Sequence, residues 1–386
     1  MNYFLTEEQQ MIRDLAAKIA VEKAAPVVAE LDEKEEFPWE VMKTLASSDL
    51  FGVYLPEEYG GFGGGVFELC LVTEELSKVC CGMGVCYAAS ALGTLPILLF
   101  GSDAQKQKYL PDIAAGKKLA AFGLTEANAG SDAAAVATTA VRDNDSYVLN
   151  GTKQWITNAG EAEVYTVIAI TDKAKGIRGA SAFIVEKGTP GFSFGQKEKK
   201  MGIRCSATRE LVFQDCRIPK ENIIGREGMG FIVAMKTLDR ARPGVASQGV
   251  GLAQGALDHA IRYSRERVQF GQAISSFQAI QHMLADMATQ TEAARALTYA
   301  SARMIDSGDD SISREAAMAK LFATDVCMKV TTDAVQIFGG YGYMREYPVE
   351  KMMRDAKILQ IYEGTNQIQR NVIGLALIKE MAKKKV

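Results

Sequence analysis

Two histidines among 386 residues leave little room for imidazole chemistry. Both, His259 and His282, fall in helical patterns with no cysteine or carboxylate at ligand spacing. A histidine-rich metal site and a histidine general base are therefore not expected, and structural or surface roles are. An excess of one charge is missing as well. The 44 basic and 47 acidic side chains leave a net charge of −3, and a nucleic-acid surface needs clustered positive charge. The seven cysteines contain no CxxC pair: Cys80 and Cys81 are adjacent, and Cys70, Cys86, Cys205, Cys216 and Cys327 are scattered. Neither a zinc site nor a disulfide framework is indicated, and a reducing, cytoplasmic location fits. The N-terminal residues lack a basic region followed by an apolar run, so no leader is read there. The most apolar stretch, Ala91 to Phe100, falls short of the roughly 20 residues a membrane helix needs, and no membrane is expected. GxSxG, HExxH and a P-loop are absent. Gly249-Val250-Gly251-Leu252-Ala253-Gln254-Gly255 is one residue too long for a dinucleotide GxGxxG and sits in a helical pattern.

What is present is ample apolar material: 48% of residues are hydrophobic and 24% charged, enough for a large core divided into two or three domains or lobes. Thr6-Glu7-Glu8-Gln9 has the form of a capping box, followed by Ile12, Leu15, Ala16 and Ile19 at helical spacing. Helical runs over 39–45, 67–78 and 104–110 complete a first lobe, 1–120. The periodicity then changes. Tyr147 to Thr157 carries Asn150-Gly151 between two β-prone runs, which predicts a hairpin there. Further β-rich runs over 164–170, 182–185 and 210–213 mark a middle domain, 121–225. Long helical patterns return over 232–266, 278–307, 313–338 and 349–354, with a last helix over 365–383, so 226–386 reads as a third lobe. Gly271, Gly308 and Gly339 are its candidate helix stops. The tail Lys383-Lys384-Lys385 reads as a solvated end.

Five segments carry chemistry. Phe122-Gly123-Leu124-Thr125-Glu126-Ala127-Asn128-Ala129-Gly130-Ser131-Asp132 combines small residues with hydroxyls; it lets backbone approach a ligand, or is an ordinary turn. Trp155-Ile156-Thr157-Asn158 offers an aromatic face and a hydroxyl to a ring, or packs in a sheet. Arg265 and Arg267, before Phe270-Gly271, could hold a pyrophosphate, but the last turn of a helix also favours arginine. Gln336-Ile337-Phe338-Gly339-Gly340-Tyr341-Gly342-Tyr343 is a helix end entering a glycine loop, or a simple cap. In Ile361-Tyr362-Glu363-Gly364-Thr365, Glu363 interrupts an apolar run before a glycine and an N-cap threonine. There a carboxylate is partly desolvated and its pKa raised, which suits a general base; the alternative is a glutamate that caps the last helix.

In this order the segments resemble the acyl-CoA dehydrogenase family of flavoenzymes, from the first helix to about Ile378. The resemblance implies an α+β, mainly α fold: an N-terminal helical domain, a middle β-barrel-like domain and a C-terminal four-helix bundle. It implies FAD between the middle and C-terminal domains, in a homotetramer, a dimer of dimers, whose neighbouring subunit completes each site. By motif, Phe122, Leu124, Thr125 and Ser131 would border the flavin, and Trp155, Ile156 and Thr157 would pack on its ring. Arg267, Phe270, Gln278, Gln336, Ile337, Phe338, Gly339 and Gly340 would reach the pyrophosphate and adenine from the next subunit, and Thr365 and Gln367 would add further contacts. Ser131, Asp239, Arg240, Ala241, Arg242 and Gly364 would touch the acyl-CoA, and Gly82 to Ser90 matches a helix lining the acyl pocket.

Glu363 matches the catalytic base of short- and medium-chain members. A sister group carries its base at the position of Ala241, which cannot accept a proton. The implied reaction takes a short- to medium-chain acyl-CoA, branched or cyclic groups included, to the trans-2-enoyl-CoA. Glu363 removes the α-proton, hydride passes to the flavin, and electrons leave to electron-transferring flavoprotein. The Glu363 backbone N–H and a ribityl hydroxyl would polarise the thioester carbonyl. Rival readings are an enoyl-CoA reductase running in reverse in an anaerobe, an acyl-CoA oxidase, and a non-catalytic flavin-binding protein. One departure is visible: Ala127 stands where the family has proline, which questions the stiffness of that loop.

Overall fold

The computed structural model describes residues 3–309 and 311–383; Lys384 and Lys385 of the basic tail lie outside them. Six α-helices come first: α1 (Glu7–Ile19), α2 (Val28–Lys34), α3 (Trp39–Ser47), α4 (Val66–Val79), α5 (Cys81–Phe100) and α6 (Asp103–Ala114). The Thr6 capping box forms as the sequence predicts. The Thr6 hydroxyl accepts from the Gln9 N–H at 3.2 Å and the Gln9 side chain accepts from the Thr6 N–H at 3.1 Å. Ala16 and Ile19 are buried below it.

Helix α5 corrects the membrane argument. The apolar stretch Ala91 to Phe100 is only its second half; the helix has 20 residues and by length and composition alone could cross a bilayer. All its residues but Ala88, Leu92, Leu98, Leu99 and Phe100 are buried in the protein. Gly82, Gly84, Gly93 and Pro96 hide its period in the sequence. A Cβ at Gly93 would come within 2.4 Å of the Ala121 nitrogen and 2.7 Å of the Ala120 carbonyl carbon. Gly93→Ala must therefore push the helix off the strand beneath it. We expect it to cost about 2–3 kcal/mol, read as a lower urea midpoint.

Strands β1 (Ala120–Gly123), β2 (Thr139–Asp143), β3 (Ser146–Thr157), β4 (Val164–Ile170), β5 (Ala180–Glu186), β6 (Phe192–Phe194), β7 (Thr208–Pro219) and β8 (Ile223–Ile224) follow. They form one eight-stranded sheet in the order β6-β7-β3-β2-β4-β5-β8, with β1 added in parallel on β4. A single pair, Thr139 with Ile170, joins β2 to β4. The hairpin predicted at Asn150-Gly151 is not there. The chain runs straight through as β3 because both halves pair with one strand, β7. The turn lies earlier, at Asn144-Asp145, where Asn144 has φ 56° and Asp143 pairs with Ser146. Instead of a turn, Gly151 marks a register shift between Leu149 and Gly151, and a second shift falls between Lys153 and Ile156. Such bulges re-aim side chains, and the second one carries Trp155 at φ 56°.

The third part holds α7 (Gly230–Glu266), the hairpin strands β9 (Val268–Gln269) and β10 (Gln272–Ala273), α8 (Gln278–Asp306), α9 (Ser313–Phe338), α10 (Pro348–Leu359) and α11 (Asn366–Lys383). Helices α7, α8 and α9 pack on one another and α11 lies against α9, giving the helical bundle the sequence implied. Gly339 does cap α9. Gly271 does not stop a helix: α7 ends at Glu266, and Gly271 turns the β9–β10 hairpin. Helices α4 and α5 also pack on α7, so the first and third parts share an interface. There Gly251 and Gly255 face the carbonyls of Glu74 and Lys78, each 2.1 Å from where a Cβ would sit. The glycine-rich run in α7 is thus a helix-crossing surface.

Candidate active site

A cavity of about 380 Å³ opens where the three parts meet. Helix α5 gives it Val85, Ala89 and Leu92, and α7 gives Phe231, Met235, Leu238 and Arg242. The sheet side supplies Phe122, Leu124, Thr125 and Ser131 from the end of β1 and its loop, and Trp155, Ile156 and Thr157 from the bulge of β3. The loop before α11 closes it with Tyr362, Glu363 and Gly364. Ten of the residues singled out in the sequence thus meet in one place.

The loop after β1 is stiff without the missing proline. Glu126 and Ala129 exchange backbone hydrogen bonds of 3.1 and 3.0 Å. The Glu126 carboxylate accepts from the N–H groups of Ala137 at 2.7 Å and Thr138 at 3.0 Å. Beneath it, Lys153 is fully buried and donates to Glu126 Oε1 at 2.7 Å and to the Leu124 carbonyl at 3.1 Å. Burial pushes the Lys153 ammonium down to about 8, against the pull of Glu126. Burial also opposes ionisation of Glu126, but Lys153 and the Thr138 bonds hold its carboxyl below the usual range. On the same wall, Trp155 is 55% exposed and lines the cavity.

Opposite lies Glu363. Its backbone has φ 51° and that of Gly364 φ 92°, two successive left-handed residues. Carbonyls hold this kink: Gly364 O accepts from Lys320 Nζ at 2.8 Å and Gln369 Nε2 at 2.9 Å, and Glu363 O accepts from Gln369 Nε2 at 3.3 Å. The Tyr362 hydroxyl donates to Gln248. Among the described residues, Glu363 Oε2 is buried without a hydrogen-bond partner and the Glu363 N–H donates to no protein group. Burial pushes the carboxyl up to about 7, with Lys320 and Arg242 pulling it back. A carboxyl raised in this way is chemically suited to accept a proton near neutral pH.

Within the cavity wall, Arg242 is bonded to Asp239 Oδ1 at 2.6 Å, so Asp239 stands one step back, also accepting from Ser313. The other candidates lie outside the cavity. Arg240 lines a separate cavity of about 340 Å³ with Tyr54 and Asp306. Ala241 is buried and offers no proton acceptor. The Thr365 hydroxyl caps α11 by accepting from the Ile368 N–H at 3.2 Å, and Gln367 is exposed. A second group is gathered at the α7, α8 and α9 ends. Arg267 lies 5.2 Å over the Tyr341 ring, Phe270 is 92% exposed and edge-on to Phe277, and Gln278, Gln336, Gly339 and Gly340 are exposed. Ile337 and Phe338 are buried, with Phe338 stacked on Tyr263 at 4.0 Å, so only their backbone is open to a ligand. His259 and His282 line no part of the main cavity. The sequence reading missed Lys320, Lys153 and Gln248 as site residues. A lysine inside the apolar run Ala316-Ala317-Met318-Ala319-Lys320-Leu321 is a signal that could have exposed the first.

Comparison with known proteins gives a consistent picture. Family models match for acyl-CoA dehydrogenase, N-terminal domain over residues 6–117, middle domain over 121–216 and C-terminal domain over 228–378. A short-chain specific acyl-CoA dehydrogenase of Megasphaera elsdenii is 50% identical, over 98% of this chain and 100% of the relative. An acryloyl-CoA reductase (NADH) of Anaerotignum propionicum is 47% identical, over 98% and 96%. Among solved structures, butyryl-CoA dehydrogenase from Megasphaera elsdenii superposes with TM-score 0.96 at 50% identity, covering 98% of this chain and 100% of that one. A chain in a structure reported for the electron transferring flavoprotein of Acidaminococcus fermentans and flavin-based electron bifurcation gives TM-score 0.96 at 53% identity, with the same coverage. An acyl-CoA dehydrogenase complexed with FAD from Bacillus anthracis gives 0.92 at 37%, over 98% of this chain and 68% of that one.

Proposed function

The chain belongs to the acyl-CoA dehydrogenase family of oxidoreductases, and from that premise we propose that it dehydrogenates short- to medium-chain acyl-CoA thioesters, branched or cyclic acyl groups included, to trans-2-enoyl-CoA with Glu363 as the base. The observation that carries the reading is the Glu363 carboxyl, buried, unpartnered and raised to about 7 at the wall of a cavity.

The cavity suits FAD. The exposed Trp155 ring offers a flat face, and Thr125, Ser131 and Thr157 bring hydroxyls to the same wall. Bound FAD supplies the two-electron acceptor for the β-hydrogen. The protein does the rest. Val85, Ala89, Leu92, Phe231, Met235 and Leu238 take the acyl chain into a dry space. The Glu363 N–H is free to donate to the thioester carbonyl, which makes the α-proton more acidic. Glu363 then accepts that proton. Arg242, held by Asp239, keeps positive charge behind the site. Arg267, half-buried, and Phe270, Gln278, Gln336, Gly339 and Gly340, exposed in one chain, would meet FAD in a neighbouring subunit of a tetramer. Electron-transferring flavoprotein is the proposed electron partner, and the cytoplasm the proposed location.

Anaerobic titration of the FAD-loaded protein with a panel of acyl-CoAs should bleach the flavin with butyryl-CoA or a near relative. No bleaching by any thioester overturns the reading. The acryloyl-CoA reductase relative favours a second direction: reduced protein mixed with short enoyl-CoAs would regain its yellow colour, and the faster half-reaction under cellular ratios identifies the physiological one.

A further inference from the structure

The base stands on a peptide that the chain does not adopt unaided. Glu363 and Gly364 are both left-handed, and a glutamate avoids that region unless its surroundings hold it. The strongest hold comes from α9. Lys320 has no exposed surface, yet its ammonium reaches the Gly364 carbonyl at 2.8 Å and Asn366 Oδ1 at 2.9 Å. Asn366 is itself fixed, donating to Thr324 Oγ1 at 2.9 Å and Asp325 Oδ1 at 2.7 Å, and Thr324 Oγ1 donates to the Lys320 carbonyl at 2.8 Å. This closed set of bonds ties α9 to the first residue of α11 and to the peptide that carries the base. A buried lysine is costly unless its ammonium is bonded, and here both bonds go to the segment that carries Glu363 and opens α11.

We propose that Lys320 is a positioning residue for the reaction: it clamps the Glu363–Gly364 peptide in its left-handed form, and its charge helps Glu363 to ionise inside the cavity. The proposal rests on the reading of Glu363 as the base. Charged and titratable groups surround Glu363: Lys320 from α9, Arg242 with its partner Asp239 from α7, Tyr362 beside it in the loop, and Asp132 from the loop across the cavity. Behind Lys320 stands Asp325, bonded to Arg370 of α11 at 2.9 Å. Burial drives Lys320 down to about 7 and Glu363 up to about 7, while each pulls the other back towards its charged form. Since Arg242 is committed to Asp239, Lys320 is the cation whose charge is not already offset by a bonded carboxylate.

Two variants separate the clamp from the charge. Lys320→Gln keeps a donor without charge, and Lys320→Met keeps neither. In the oxidised, FAD-loaded protein without substrate, the protonated Glu363 carboxyl is followed by infrared difference titration and identified by its loss in Glu363→Gln. Its midpoint is expected to rise by at least about one pH unit in both variants, a tenfold drop in ionised base below the midpoint. On the high-pH plateau, where the base is ionised in every variant, only Lys320→Met should lose kcat, about tenfold, with the flavin spectrum retained. A midpoint unmoved in Lys320→Gln overturns the proposal. Should the lysine variants fail to fold, coupling is reciprocal: in lysine-labelled Glu363→Gln, the Lys320 side-chain carbon resonance must titrate at lower pH than in the parent, and an unchanged midpoint overturns the proposal equally. These titrations need no turnover, so they stand apart from the acyl-CoA bleaching experiment, whose failure would strike the functional reading alone.

Discussion

Glu363→Gln is expected to slow flavin bleaching by acyl-CoA between about 10²- and 10⁴-fold, the usual worth of a positioned general base, while FAD and acyl-CoA still bind. The amide has the shape of the carboxyl but cannot accept the α-proton, and no other carboxylate lines the cavity within reach except Asp132 on the opposite loop. Stopped-flow absorbance under anaerobic conditions measures the loss; a variant as fast as the parent would move the proton transfer elsewhere. The parent should also show a limb in kcat/KM, rising with pH through about 7, because that parameter reports the free enzyme and the carboxyl is raised to about 7 by burial. The sign carries over to stability. An unfolded glutamate titrates near 4.3, so between about 4.3 and 7 the folded state binds more protons, and stability falls as pH rises across that window. Ligand-free Glu363→Gln should therefore match the parent near pH 4 and exceed it at pH 8, by on the order of 2 kcal/mol.

The second large effect lies under the opposite wall. Lys153→Met should cost about 3–5 kcal/mol, because it strands the Glu126 carboxylate in a buried site. Lys153 is fully buried and bonded to Glu126 at 2.7 Å, so the lost partner cannot be replaced by solvent. The same carboxylate holds the Ala137 and Thr138 N–H groups, and the loop bearing Thr125 and Ser131 should loosen with it, lowering FAD retention. Adding Glu126→Gln removes the stranded charge and keeps an acceptor for one N–H, so the double variant should recover at least half of the loss. Urea midpoints of the four proteins check both statements. A single variant within about 0.5 kcal/mol of the parent, the range of ordinary surface substitutions, would mean that the pair is not the support described.

Much of the fold was legible because local rules were obeyed. The Thr6 box, the change from helical to β periodicity near Phe122 and the long amphipathic helices after Gly230 each depend on near neighbours in sequence. Where reading failed, a distant partner overruled the local signal. Asn150-Gly151 reads as a turn, but nine residues of β7 pair with β3 on both sides of it and stretch it into a bulge. No helical period shows over α5 because its glycines serve close contacts, Gly82 with Cys205, Gly84 with Ser77 and Gly93 with Ala121, which sequence spacing cannot display.

By itself, the sequence determined which groups are available for chemistry: almost no imidazole, no cysteine pair at metal spacing, and a carboxylate set between an apolar run and a glycine. These follow from residue identity and immediate context. The tertiary structure alone decided how those groups behave. The Glu363 carboxyl is raised towards neutrality because the folded chain buries it and leaves Oε2 unpaired, and the loop across the cavity is held from beneath by Lys153, remote from it in sequence. Proton affinity and rigidity depend on what surrounds a group in space, and that is set only when the chain has folded.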